Sequence, residues 1–108
     1  MGNGIDLKVS KKEVLEIYSL YAEKCAYVAK AMQEDLEQYE GGGYCKEKTH
    51  AQEMVEYIDN IIRYKLEDLR LAGKELVAYK LEHALPLASI SPARLLKVLE
   101  VCGVQYED

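Results

Sequence analysis

The chain has 108 residues, of which 49% are apolar and 31% charged, a balance that suits one globular domain and excludes an intrinsically disordered chain. Nineteen acidic against fourteen basic side chains give a net charge of −5, which argues against general nucleic-acid binding because a phosphate backbone attracts clustered positive charge. No apolar run reaches the roughly 18 residues of a membrane span, and the three cysteines with no secretion signal fit a reducing, cytoplasmic compartment.

A first helix is predicted over about residues 11–39. Ser10 and Glu13 have the spacing of a capping box, and three consecutive glycines at 41–43 can end the helix because glycine takes the left-handed conformation without strain. The apolar positions recur at spacings of three and four, which is one face of a helix. They are Val14, Tyr18, Tyr21, Cys25, Val28, Met32, Leu36 and Tyr39.

A second helix is predicted over about residues 50–84. Thr49 and Gln52 repeat the capping-box spacing at its start. The apolar stripe stays in phase on both sides of Gly73, so we favour one continuous helix over two helices broken at that glycine. Its members are Val55, Ile58, Ile62, Leu66, Leu69, Ala72, Leu76 and Tyr79.

A third, short helix is predicted over residues 92–102. Pro86 is expected to end the second helix, Ser91 can cap the third, Pro92 suits its first position and Gly103 can close it. The fold class is therefore all-α: residues 1–108 form a single domain, a long antiparallel helical hairpin with a loop at 40–49 and a C-terminal helix across its open end. Because two long helices leave a broad apolar stripe uncovered, we expect a homodimer that completes a four-helix bundle.

The segment "EGGGYCKEKT", residues 40–49, combines glycines, a cysteine and a Lys-Thr pair. A phosphate-binding loop would need a second glycine where the chain has Glu47, and a strand where a helix is predicted. The segment is interpreted as a turn.

No catalytic, metal-binding or cofactor-binding set is predicted. Cys45 and His50 form the one local pair of metal-ligand type, and the predicted helix would separate His50 from His83 by roughly 50 Å. Cys45 lies between two lysines and close to a helix start, so a reactive thiol there stays open. Cys25 is expected in the core, because it belongs to the apolar stripe.

Two features favour protein binding, and both depend on side chains suited to interfaces. The end of the first helix is acidic, with Glu34, Asp35, Glu37 and Glu40, although negative charge opposes the helix dipole there. The chain also has nine tyrosines and no other aromatic residue, and Tyr57 and Tyr64, seven apart, share a helix face. The alternatives are a solvated acidic surface and tyrosines that half-cover a thin core.

Residues 95–108, "LLKVLEVCGVQYED", resemble the closing helix of Cro/CI-type repressor domains. In those domains the helix packs against the hydrophobic core and does not contact DNA bases. No helix-turn-helix motif is recognised upstream, so no function is carried over.

The sequence thus favours a non-enzymatic interaction or adaptor module, including a small acidic inhibitor of a basic protein surface. The expected partner is a protein, with no direct nucleic-acid or membrane binding. A small thiol- or metal-dependent helical enzyme and a transcription-related accessory protein are the alternatives.

Overall fold

The computed structural model describes residues 7–40, 48–88 and 91–107, with side chains for all of these except 38–40. In chain order the elements are β1 (Lys8–Val9), α1 (Lys11–Glu40), α2 (His50–Leu71), α3 (Glu75–Leu87), α4 (Pro92–Val101) and β2 (Gln105–Tyr106). The all-α class is confirmed. Within the described ranges no helix is long and apolar enough to cross a membrane.

Two predicted helix starts are confirmed in detail. The Thr49 hydroxyl accepts a hydrogen bond from the Gln52 backbone N–H at 3.2 Å, and the Gln52 side chain accepts one from the Thr49 N–H at 3.0 Å. The Ser91 hydroxyl accepts from the Arg94 N–H at 3.1 Å, and Pro92 occupies the first turn of α4. Each cap satisfies backbone donors that the first turn of a helix leaves unpaired.

The prediction of one continuous helix over residues 50–84 is wrong. Gly73 adopts a φ of +84°, which lies in the left-handed region that favours glycine. Around it the Gly73 N–H donates to the Arg70 carbonyl at 3.0 Å and the Lys74 N–H donates to the Leu69 carbonyl at 2.8 Å. This pair of bonds is a Schellman motif, which ends α2 and turns the chain back.

Because of this break, a separate helix packs on part of the apolar stripe that the sequence analysis expected the hairpin to leave uncovered. α3 packs against α2, and α4 packs against α3 and α1. Pro86 does not end the helix before it, because α3 continues to Leu87. α4 still lies at the open end of the α1–α2 hairpin, as predicted, but it rests on α3 as well as on α1.

The main core lies entirely at this open end. α1 contributes Val14 and Ile17 to it, whereas α2 contributes a stripe that begins at Ile58. The buried side chains of the cluster are Val9, Val14, Ile17, Ile58, Ile62, Leu66, Leu69, Val77, Ala78, Leu81, Ala84, Leu85, Ala88, Leu95, Leu99 and Val104. Beyond it α1 and α2 continue as a two-helix projection, and the radius of gyration of 17.0 Å exceeds the roughly 13 Å of a compact chain of this length.

A short parallel pairing of β1 with β2 closes the open end. The Gln105 N–H donates to the Leu7 carbonyl at 2.8 Å and the Glu107 N–H donates to the Val9 carbonyl at 3.1 Å. Gly103, with a φ of +97°, allows the turn from α4 into β2. The Tyr106 hydroxyl then donates to the Leu96 carbonyl at 2.7 Å, which ties the strand to α4.

The Gly73 turn yields a prediction that distinguishes one continuous helix from two helices broken at this glycine. Gly73→Ala should lower the free energy of unfolding by about 1 to 2 kcal/mol, because alanine is strained at this φ. Steric collision does not add to the cost, since a Cβ there would meet no atom within 4 Å. Gly73→Asn should lose less, because asparagine tolerates the left-handed region. Urea titration of the three proteins measures both effects, and an alanine variant more stable than the parent would contradict the turn.

A second prediction concerns stability at alkaline pH. Burial, with a smaller contribution from the Glu100 carboxylate, raises the pKa of Tyr106 to about 12. Because the folded pKa lies above the unfolded value of 10.0, the neutral hydroxyl stabilises the fold below pH 10, and that contribution is lost as pH rises towards 12. Tyr106→Phe should therefore cost about 1 kcal/mol at neutral pH through the lost hydrogen bond, and less at high pH. Tyr64→Phe, at an exposed position, is the matched control; equal alkaline slopes for the parent and the Tyr106 variant would refute this role.

Candidate functional site

The part of the hairpin beyond the main core is the candidate site. We call residues 28–37 of α1, together with residues 48–56 at and just before the start of α2, the distal end. Here α1 and α2 run antiparallel: Lys24 reaches Asp59 at 3.0 Å near its base, and the rings of Tyr27 and His50 meet edge to face with centroids 6.4 Å apart. No residue of the distal end belongs to the buried cluster at the open end of the hairpin.

A groove of about 550 Å³ lies between the two helices of the distal end. Its lining residues are Val28, Ala31, Met32, Asp35, Lys48, Gln52, Val55 and Glu56. The first four lie on α1 and the others on α2 or just before it, so the groove follows about two helical turns. The volume falls in the range of pockets that hold small ligands or a few side chains.

Apolar groups form the larger part of the groove and charged groups its rim. Val28, Ala31 and Val55 are half-buried, whereas Met32 is 63% exposed. On the rim, the Lys48 ammonium contacts both carboxylate oxygens of Glu56, at 2.6 and 2.7 Å. That pair is internally compensated, so Asp35 is the rim carboxylate that forms no salt bridge with another described residue.

Negative charge predominates over the distal end as a whole. Its acidic residues are Glu34, Asp35, Glu37, Glu53 and Glu56, against the basic residues Lys30 and Lys48. Asp35, Glu37 and Glu53 are exposed and Glu34 is half-buried. The Glu37 carboxylate accepts a hydrogen bond from the Gln33 amide at 3.1 Å, which leaves its charge in place. This surface therefore attracts cations over a Debye length of roughly 8 Å at physiological salt.

The structure brings some of the predicted binding residues together and separates others. Asp35 lines the groove, and Glu34 and Glu37 are its neighbours on α1. Glu40 lies at the helix end, where no side chain is described. Tyr57 and Tyr64 are 61% and 73% exposed, but neither lines the groove. The six residues thus do not form one site.

The prediction that Cys25 belongs to the core is wrong, because its side chain is exposed. α2 approaches α1 on the side of Ile17, Lys24 and Ala31, so the other edge of the predicted stripe faces outward. Met32 and Leu36 are exposed for the same reason, each at 63%. Sequence reasoning placed Val28, Met32 and Val55 on apolar stripes that a second copy was expected to cover, and it therefore missed the groove they line.

The residues considered for metal or thiol chemistry lie apart. Cys45 falls outside the described residues. His50 is exposed and contacts Tyr27, while His83 is exposed on α3 and contacts Tyr79, with ring centroids 4.4 Å apart. In the described ranges, no group of three or more His, Cys, Asp or Glu side chains could hold a metal ion. Burial, followed by the neighbouring Cys25, raises the pKa of Tyr21, which keeps that phenol neutral.

Comparison of the chain with known protein families, curated proteins and solved structures found no match.

Proposed function

We propose that this protein is a non-enzymatic interaction module whose acidic distal end binds a basic surface of another protein. The position of the acidic residues is the main support for this proposal. They lie on a projection beyond the main core, beside an apolar groove, where a partner can approach both helices.

The charge placement supports binding more than stability. Carboxylates in the last turns of α1 oppose the helix dipole, at a cost of roughly 0.3 to 1 kcal/mol for each exposed group in the last turn. Glu37 lies in that turn, and none of the described contacts gives it an ion pair that would offset this cost. A cationic partner would offset it, and electrostatic attraction would also raise the association rate.

A small acidic inhibitor is the form of this function that the projection favours. A two-helix projection can enter a cleft of a basic protein while the core at the open end stays folded. This arrangement presents carboxylates on a rigid scaffold, so that little conformational entropy is lost on binding.

Self-association through a different surface is the second part of the proposal. The outer face of α3 carries Leu76, Tyr79 and Leu87, all exposed, with His83 between them. Two charged side chains that flank this stripe have partners within the chain: Lys80 donates to the Cys102 carbonyl at 2.6 Å, and Glu82 pairs with Arg70 at 3.1 Å. An exposed apolar stripe of this kind is compatible with packing against the same stripe of a second copy about a twofold axis.

The binding prediction is tested by removing the acidic charges. Glu34→Gln, Asp35→Asn and Glu37→Gln together should raise the melting temperature slightly, because they remove charges that oppose the dipole and one another. The same triple variant should lose a basic protein that the parent retains from a native lysate, and binding by the parent should weaken as salt rises.

The control removes equal charge elsewhere, through Asp68→Asn, Glu75→Gln and Glu100→Gln, and should retain the partner. Retention of the same proteins by both triple variants would refute acidic docking.

The dimer prediction is tested by light scattering over a range of concentrations. The parent should approach twice the 12.3 kDa mass of one chain, and Leu87→Glu should return it to one chain by placing like charges opposite each other. Leu71→Glu, at a position equally exposed but off the α3 face, should leave the mass unchanged. A parent of 12.3 kDa at every concentration would contradict the dimer.

A further inference from the structure

We propose that the groove of the distal end binds an amphipathic basic helix of a partner protein. This inference rests on the proposed function and specifies its partner: apolar side chains enter between Val28, Ala31, Met32 and Val55, and lysine or arginine side chains lie against the acidic rim.

The dimensions of the groove suit a helix. Its lining extends from residue 28 to 35 on α1 and from 48 to 56 on the opposite side, which is roughly 10 to 12 Å at ~1.5 Å per residue. That length accommodates about two turns, so apolar anchors at positions i, i+3 or i+4, and i+7 of the bound helix can reach it.

The backbone around the groove favours a helix over a strand. Apart from Lys48, the lining residues lie within α1 and α2, where the peptide groups are engaged in intrahelical hydrogen bonds or, at the start of α2, in the Thr49 capping box. An extended peptide would find no free edge to join by strand addition, whereas a helix satisfies its own backbone and needs only side-chain contacts. Met32 adds adaptability, since a flexible thioether can repack around different anchors.

The rim determines the charge of the occupant. Because Lys48 already compensates Glu56, a bound cation would lie against Asp35, with Glu34 and Glu37 within one turn along α1. A second copy packed on this groove about a twofold axis would bring two acidic distal ends together, and like charges repel. The complementarity therefore points to a basic partner.

The groove also has the composition of an anchor site. A bound leucine side chain that enters the apolar lining is removed from water, and this burial of apolar surface contributes favourably to the free energy of binding. The charged rim then selects the partner and its orientation, while the apolar contacts slow dissociation.

The probe is a synthetic helical peptide with leucines on one face and lysines on the other, compared with a peptide in which alanine replaces each leucine. Fluorescence anisotropy should show at least tenfold tighter binding of the leucine peptide to the parent protein. Met32→Lys and Ala31→Leu should remove that preference, the first by replacing an apolar lining side chain with a cation and the second by filling the groove.

Val101→Lys is the matched control, because it also replaces an exposed apolar side chain with lysine but lies on α4. It should retain the preference. Thermal melts of every variant show whether it is folded; both distal substitutions place good helix formers at helical positions.

The outcomes distinguish this inference from the proposed function. Equal binding of both peptides, weakened by the triple acidic variant, would overturn the groove and leave acidic docking in place. Binding unaffected by the triple acidic variant as well would overturn both. A parent dimer that dissociates in the Met32→Lys variant would show that a second copy occupies the groove, which also overturns the inference.

Discussion

The left-handed turn at Gly73 is the constraint on which the rest of the structure depends. It ends α2 after 22 residues and sends α3 back along it, so that the chain covers one half of its own hairpin. α4 can then pack against both α3 and α1, and the β1–β2 pairing closes the same end. A helix that continued through Gly73 would carry Val77, Ala78 and Leu81 away from that core, where all three are fully buried.

The turn also explains why neither α3 nor α4 covers the distal end. The 13 residues of α3 and the 10 of α4 supply enough apolar surface for the open end and none for the other half of the hairpin. There α1 and α2 have each other as described packing partners, with the Lys24–Asp59 pair and the Tyr27–His50 contact between them. The groove is the remaining gap of this two-helix layer.

The core that stabilises the fold and the surface proposed to bind a partner thereby lie at different ends of one hairpin. Substitutions at the open end act on a continuous core and change the free energy of unfolding. Exposed positions at the distal end, such as Met32 and Asp35, can change with little loss of folding free energy, because no buried cluster depends on them. Under the proposed function, this separation would let the acidic surface change to suit a partner while the fold is kept.

The sequence by itself determined the helices and most of their ends, because caps and stop signals act through local hydrogen bonds. Thr49 with Gln52, Ser91 with Pro92, and Gly103 could be interpreted without any knowledge of the fold. Gly73 could not, since an apolar stripe that stays in phase is equally compatible with a continuous helix and with a helix that turns back. Only the tertiary structure, where α3 buries its stripe against α2, decided between them.

The candidate site shows the same division. Composition and spacing identified the acidic end of α1, and Asp35 does line the groove. The groove itself depends on which edge of the α1 stripe faces α2, and that edge is chosen by contacts between residues distant in sequence, such as Lys24 with Asp59. Helical periodicity identifies the apolar face of α1 but not the edge of that face that packs against α2. The exposure of Cys25, Met32 and Leu36 was therefore decided by packing alone.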